Sequence, residues 1–472
     1  MTESKNVIVV GAGIFGLSLA VALRKKGHSI TVFDKQVYHE TGYQPPENDE
    51  FQAASVDHNK IFRASYGSKL HYQRLAYESR DEWLRINKDA GSDLFVDSGM
   101  LRVQPTSELG ALEKETLTNM ERDGLRPSQF IKSDAADRER ARAEGWEAKL
   151  LEFPIPDDPE QKTFEAVLDS SAGFMRCSAA CEYYRKLALS KGVNFKFGPK
   201  EGEYESIVSI ESTTSPGKNR ATGIKTKDGL THPADVVVIA AGSYTTQLLP
   251  DMAYHLESSA GSIATFKIDE SNTALWDKYS PEKFPVITWK STPRNKAGKD
   301  TGSVYVLPRT PEGLVKIGYR GIKFTNFQPA PDDASFNQDG KWSVPLSPKD
   351  STKIPEPAVD AIRQFVSIFL PDFTNTEFYS SKLCWYTDTL DNSFVIDWVP
   401  TYADNSVFVT TGGSGHGAKF LPVLGKHAAD IFDNKENNTS AMYPFWRWRE
   451  DANRGNGLSE GPNGPRNFDN LE

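Results

Sequence analysis

Cysteine, clustered basic charge and long apolar runs are all scarce in this chain, and each scarcity removes a class of function. No apolar stretch approaches the ~18 residues needed to cross a bilayer, so no membrane partner is expected. Three cysteines in 472 residues cannot build a disulfide scaffold, which points to a reducing compartment. Two of them, Cys177 and Cys181, lie four apart in a predicted helix, a spacing that does not suit an unstrained bridge. The 55 basic and 64 acidic side chains leave a net charge of −9 with no basic tail, which disfavours nucleic acid. No cluster of His, Cys and carboxylates has metal-ligand spacing, and no Gly-x-Ser-x-Gly elbow sits between strand and helix, so neither a metal nor a serine nucleophile is expected. The start, MTESKNVIVVGAG, enters a strand pattern with no leader-like segment, and Asp469-Asn470-Leu471-Glu472 does not match the Ser-Lys-Leu peroxisomal address. A soluble, cytoplasmic protein is the expectation.

What is present is a large core: 38% of the residues are hydrophobic, and the length suits two or three domains at ~100–200 residues each. Asn6 to Val10 is a continuous β-branched run, the mark of a buried parallel strand. Gly11-Ala12-Gly13-Ile14-Phe15-Gly16 follows at once, then a helical pattern to about Lys26, then a strand Ser29 to Phe33 ending in Asp34. Gly11 permits the tight turn, Gly13 lets backbone approach a pyrophosphate at the helix N-terminus, and Gly16 allows close helix–strand packing. Asp34 can accept from a ribose hydroxyl, and an acid there disfavours a 2′-phosphate. This motif leaves FAD and NAD both open.

A second piece of the same sheet is expected at Ala234 to Ala241, ending at Gly242, preceded by a helix from Ala179 to Lys191 and a strand from Asn194 to Phe197. A strand this late in the chain suits a flavin dinucleotide better than NAD. Residues 104–170 read as charged, with one weakly apolar helix and the proline-rich EFPIPDDPEQ. Short alternating strands such as Val304 to Leu307 and Leu314 to Tyr319 fill residues 251–380. Glu211–Arg220 and Asn434–Thr439 read as solvated connections. Residues 35–55, with Tyr38, Tyr43, Pro45 and Pro46, read as a surface excursion in preference to a lid.

Four spaced segments then carry a resemblance that covers nearly the whole chain. They are Asn59-Lys60-Ile61-Phe62-Arg63-Ala64-Ser65-Tyr66-Gly67, Val315-Lys316-Ile317-Gly318-Tyr319, Cys384-Trp385-Tyr386-Thr387-Asp388-Thr389, and Gly413-Ser414-Gly415-His416-Gly417-Ala418-Lys419-Phe420. In that order they resemble the family of FAD-dependent amine oxidases that includes monomeric sarcosine oxidase, fructosyl-amino-acid oxidase and fungal saccharopine and pipecolate oxidases. The resemblance implies an α/β (α+β) fold: a glutathione-reductase-like Rossmann FAD domain and an interrupted substrate domain built on an antiparallel sheet. The expected boundaries are 1–88, 171–249 and 385–440 for the FAD domain and 89–170 and 251–384 for the substrate domain. Residues 441–472 are expected as a tail packed on the FAD domain.

The same resemblance implies roles. Cys384, expected at the end of a strand, would hold FAD as a thioether. Lys316 would be the cation assisting electron transfer from reduced flavin to O2, with Lys60 a second basic group against the ring. Arg63 and Lys419 would capture a substrate carboxylate, for which a planar guanidinium is well shaped. One helical turn between Lys60 and Arg63 would put both on one face. Tyr319, Arg320 and His416 complete the expected substrate residues. Gly11, Gly13, Ile14, Phe15, Gly16, Asp34, Lys35, Ser55, Asn59, Lys60, Gly242, Gly413, Gly415, His416, Gly417 and Lys419 are the expected cofactor residues beside Cys384.

Two departures bear on substrate. Fructosyl-amino-acid oxidases carry an acid four residues beyond the lysine, where this chain has Arg320, and an arginine in the glycine loop, where it has His416. Arg320 would suit a second anionic group or pair with an internal acid. The reading is a monomeric oxidase of a carboxylate-bearing secondary amine, using O2 and giving an imine and H2O2. The alternatives are a tailoring enzyme that traps its imine, a fructosyl-amino-acid oxidase, and a flavin dehydrogenase that passes electrons to a carrier.

Overall fold

A computed structural model describes residues 3–46, 53–290, 303–331, 340–434, 440–450 and 452–471. Short runs of Val and Ile, drawn from both ends of the chain, assemble a six-stranded sheet. Its order is Val395–Trp398, Val407–Thr411, Val236–Ile239, Asn6–Val10, Ser29–Asp34 and Asn194–Phe197. All neighbours run parallel except the outermost pair, Val395–Trp398 against Val407–Thr411. Val7 and Val9 pack against helices Ile14–Lys25, Cys177–Ser190 and Leu421–Asp433. Ile8 and Val10, on the other face, pack with a meander of Tyr204–Glu211, Asn219–Thr226 and Thr231–Pro233. Both faces are covered, which is why these strands are unbroken apolar runs and not alternating ones.

At the turn into the first helix, a Cβ on Gly16 would lie 1.9 Å from the carbonyl oxygen of Gly11, which itself has φ +109°. Gly16→Ala is therefore expected to cost about 1–3 kcal/mol through overpacking against backbone. Chemical denaturation midpoints would measure it; an unchanged midpoint would mean that the helix and strand can separate freely.

The second sheet has eight strands, in the order Ser380–Thr389, Leu256–Lys267, Leu314–Phe324, Ser303–Val306, Val286–Lys290, Met100–Val103, Ala166–Asp169 and Gln129–Ile131. Only Val286–Lys290 and Met100–Val103 pair in parallel. Helix Glu356–Phe369 buries Ala358, Ala361, Ile362, Phe365, Val366 and Phe369 in the same core as Val315, Ile317, Tyr319, Leu383 and Trp385. Because side chains alternate along a strand, Lys316, Gly318 and Arg320 take the opposite face, as do Lys382, Cys384, Tyr386 and Asp388.

Several expectations change. Tyr319 does not reach the site: it is buried in the helix-packed core because it shares the face of Ile317. Cys384 does not end a strand but lies in the middle of Ser380–Thr389, opposite Gly261. The expected boundary at 385 thus cuts a strand that belongs wholly to the second sheet. Lys60 and Arg63 share no helix: Lys60–Phe62 is a strand pairing with Gly173–Met175, where Ile61 and Phe62 favour extended backbone. Residues 104–170 hold two helices, Ala111–Arg122 and Ala135–Ala143, and two strands of the second sheet. Tyr38 and Tyr43 are buried and stacked at 3.9 Å, and the Tyr43 hydroxyl donates to the Ala12 carbonyl at 2.7 Å. That part of residues 35–55 is a prop beneath the glycine turn; residues 47–52 lie outside the described residues, as do 435–439 of the expected connection. The tail spans both sheets, with Trp446 in the first core and Phe468 and Leu471 against the second.

Candidate active site

One groove runs from the first glycine turn to the face of the second sheet that carries Lys316. Of the expected cofactor residues, Gly11, Gly13, Ile14, Phe15, Asp34, Lys35, Ser55, Lys60, Gly242, Gly413, Gly415 and Gly417 line it. Gly16 packs against the turn, and Asn59, Cys384, His416 and Lys419 are not among the lining residues. Sequence reasoning missed Tyr244, which lies under the Lys35 ammonium at 4.6 Å, and Thr410. Asp34 closes the turn: its carboxylate accepts from the N–H groups of Ala12 at 2.8 Å and Gln36 at 3.0 Å. Burial raises its pKa, and those two N–H groups oppose the rise.

FAD fits this groove on local grounds. A Cβ on Gly13 would meet only the Ser55 hydroxyl, at 3.8 Å, and one on Gly242 would meet nothing within 4 Å, so both turns leave room for a ligand against backbone. The Thr410 hydroxyl and both amide atoms of Asn59 are buried without a partner among the described residues. Buried polar atoms of that kind are normally satisfied, and a dinucleotide brings the missing groups.

Two basic clusters lie next to residues that line the groove, Lys60 for the first and Ala418 for the second. In the first, Asp57 holds two lysines: Lys316 Nζ lies 2.7 Å from Oδ1 and Lys60 Nζ 2.8 Å from Oδ2. Lys316 Nζ also donates to the Asn59 carbonyl. Burial alone would raise the Asp57 pKa, but Lys316 and Lys60 drive it well below the carboxylate range, so it is ionised. Burial lowers Lys316 and Asp57 only partly restores it; for Lys60 burial is outweighed by Asp57 together with Cys384, Cys177 and Tyr386, and its pKa rises. The trio carries one net positive charge with both lysines protonated. Asp57, three residues before Lys60, was the missed partner, and nothing local in the sequence separates it from the other acids nearby.

In the second cluster, Arg63 and Lys419 converge on the Tyr66 ring, at 4.6 and 4.8 Å from its centre. Lys419 Nζ donates to the Arg63 carbonyl and to the Tyr66 hydroxyl, both at 3.0 Å, and the Arg63 guanidinium donates to the Ser65 carbonyl. Among the described residues neither cation has a carboxylate within ion-pair distance. His416 turns away from the groove: its Nδ1 lies 3.1 Å from the Tyr66 hydroxyl and its Nε2 3.1 Å from the Asn392 carbonyl. Burial above all lowers its pKa well below the usual histidine value, which keeps it neutral.

Arg320 pairs with an internal acid. It donates to Asp388 at 2.7 Å and to the Ser414 carbonyl at 3.0 Å, and lies 4.3 Å over Tyr386. Tyr305 lies across Gly318, where a Cβ would sit 2.1 Å from its ring. With Tyr386 it makes an aromatic wall between Lys316 and Arg320, and neither tyrosine was foreseen. Cys384, half-buried, shares the sheet face of Lys316 and Tyr386. No group of three or more metal-ligating side chains occurs among the described residues, and no helix there is long and apolar enough to cross a membrane.

Comparison with known proteins finds relatives that match nearly the whole chain. The chain is 28% identical over 453 residues to the L-saccharopine oxidase of Schizosaccharomyces pombe, covering 95% of this chain and 94% of that one. It is 24% identical to the monomeric sarcosine oxidase of Bacillus sp. (strain NS-129), covering 91% and 93%. Among solved structures, a modified fructosyl peptide oxidase from Aspergillus nidulans superposes with a TM-score of 0.75 at 23% identity over 95% and 94% of the two chains. The fructosamine oxidase of Aspergillus fumigatus, Amadoriase II, does so at 0.74 and 22%, over 100% and 97%. The family described as FAD dependent oxidoreductase matches residues 6–431, and this protein belongs to it.

Proposed function

We propose that the protein is an FAD-dependent oxidase of a secondary amine that bears a carboxylate, releasing an imine and H2O2, with FAD held covalently through Cys384. The observation that carries this reading is the Arg63–Lys419 pair: two basic side chains held against one tyrosine ring, with no acid at ion-pair distance from either among the described residues. A guanidinium and an amine gathered without an acid beside them are suited to completion by an anion.

FAD supplies the acceptor for the two electrons and hydrogen lost from the C–N bond, and hands the electrons to O2. The chain's own residues do the rest. Arg63 and Lys419 fix the carboxylate, and with it the position of the amine. Tyr305 and Tyr386 wall the site with aromatic surface. The four surrounding cations disfavour a substrate ammonium, so the bound amine is held neutral, the form that can be oxidised. No base is required of the protein. The Asp57-held lysines would offset the negative charge that builds as electrons arrive. A deglycating, fructosyl-amine reading is weaker, because Arg320 with its Asp388 partner occupies the position where that branch has an acid.

A panel of N-substituted amino acids and their decarboxylated counterparts, assayed for peroxide, tests the substrate class. Turnover restricted to the carboxylates is expected; equal turnover of amines that lack the group would remove Arg63 and Lys419 from the reading. Acid precipitation tests the linkage separately. Yellow colour should stay with the polypeptide and move to the supernatant in Cys384→Ala; colour in the supernatant for both would leave a non-covalent flavin enzyme.

A further inference from the structure

We infer that Lys419 rests as a neutral amine and takes up one proton when a carboxylate enters between it and Arg63, so that anion capture here is coupled to protonation. The inference rests on the reading of this pair as the carboxylate site.

Donor counting carries the argument. An ammonium has three N–H groups to place and an amine has two. Lys419 Nζ, 2% exposed as a residue, has two acceptors in reach, the Arg63 carbonyl and the Tyr66 hydroxyl, each at 3.0 Å. Among the described residues a third N–H has no acceptor. The hydroxyl cannot turn round to ease this. Asn392 offers His416 Nε2 a carbonyl, which only accepts, so Nε2 carries the ring proton and Nδ1 must accept from Tyr66. The chain from Lys419 through Tyr66 and His416 to the Asn392 carbonyl is complete with the lysine uncharged.

The charges facing this chain point the same way. Arg63 approaches from the segment after Lys60–Phe62, Lys69 from the start of helix Leu70–Ala90, and His416 from the glycine loop. Tyr72 packs from the same helix and donates no countercharge. The nearby Asp391 is taken by Arg449, at 2.7 Å. Burial and the Arg63 guanidinium together push the Lys419 pKa well below the usual lysine value. A guanidinium keeps its proton under such pressure and an ammonium does not. An entering carboxylate changes both conditions, offering the third acceptor and the missing negative charge.

A zwitterionic amino-acid substrate must shed its own ammonium proton to be oxidised, so its binding should exchange close to no net protons. An amine-free carboxylate should take up one. Methoxyacetate, in which ether oxygen replaces the amine of an N-methyl amino acid, is the probe. Its binding to the holoenzyme is measured calorimetrically at pH 8 in phosphate and in Tris, whose different ionisation heats report proton transfer. Uptake of close to one proton is expected, with affinity falling about tenfold per pH unit once the free site is deprotonated. Lys419→Arg, permanently charged, should bind the probe with no uptake. Binding to the wild type without proton uptake overturns the inference and leaves the carboxylate site standing. Uptake that persists in Lys419→Arg moves the proton to another group and also overturns it. No binding at all sinks the carboxylate site itself.

Discussion

Lys316→Met is expected to slow reoxidation of the reduced enzyme by O2 by about 10²–10³-fold, the usual consequence of deleting one preorganised charge from a dry site, while reduction by substrate changes far less. The asymmetry follows from where the charge is needed. Substrate oxidation moves a hydrogen and its electrons together, whereas electron transfer to O2 creates an anion next to the reduced ring. In the proposed mechanism Lys316 serves the second event: its ammonium is fixed by the Asp57 carboxylate at 2.7 Å and by the Asn59 carbonyl. A group held at two points need not reorganise when charge develops. Removing it takes the Asp57 trio from one net positive charge to none. Asp57→Asn should do part of the same damage by another route. Without the carboxylate, burial is no longer offset and Lys316 gives up its proton more easily, so reoxidation should fall as pH rises. Anaerobic reduction followed by mixing with oxygenated buffer separates the two half-reactions. Equal loss in both for Lys316→Met would mean that the lysine only positions substrate.

Arg63→Ala should lower kcat/KM for a carboxylate-bearing amine by about 10²–10³-fold, corresponding to the ~2–5 kcal/mol typical of truncating one partner of a buried charge pair. The loss has two parts. The guanidinium offers two parallel N–H donors to a carboxylate, and it stacks on Tyr66 at 4.6 Å, which holds the fork in place before the ligand arrives. Arg63→Lys should restore only a fraction, since a lysine supplies charge without the fork. Rates measured on an N-methyl amino acid and on the matching N-methyl amine give the check. Loss confined to the acid supports capture of the carboxylate, and equal loss on both substrates would make Arg63 a support for Tyr66 and the glycine loop.

How much of this was legible depended on whether the signal was local. The first turn was readable because strand, glycines, helix and acid are consecutive, and each position has one physical requirement; the tight approach of Gly16 to Gly11 is that requirement realised. The alternation of residues 314–320 already separates Lys316 and Arg320 from Ile317 and Tyr319. Tyr319 was nonetheless expected in the site, because the resemblance was followed past what the period of a β-strand permits. The helical spacing assumed for Lys60 and Arg63 failed for a related reason. Three residues on one face is true of a helix, but Ile61 and Phe62 had a partner strand waiting at Gly173–Met175, more than 100 residues away.

The sequence by itself determined the dinucleotide turn, the two classes of strand and the identities of the cations, because each of these is set by residues within a few positions of one another. Only the tertiary structure decided which acid answers which base. Asp57 bridges lysines 256 residues apart, Asp388 neutralises Arg320, and among the described residues Arg63 with Lys419 is left without an acid. Those pairings fall across different sheets and loops, where chain spacing carries no information, and they leave one cluster internally neutralised in part and the other, on the proposed reading, open to an anion.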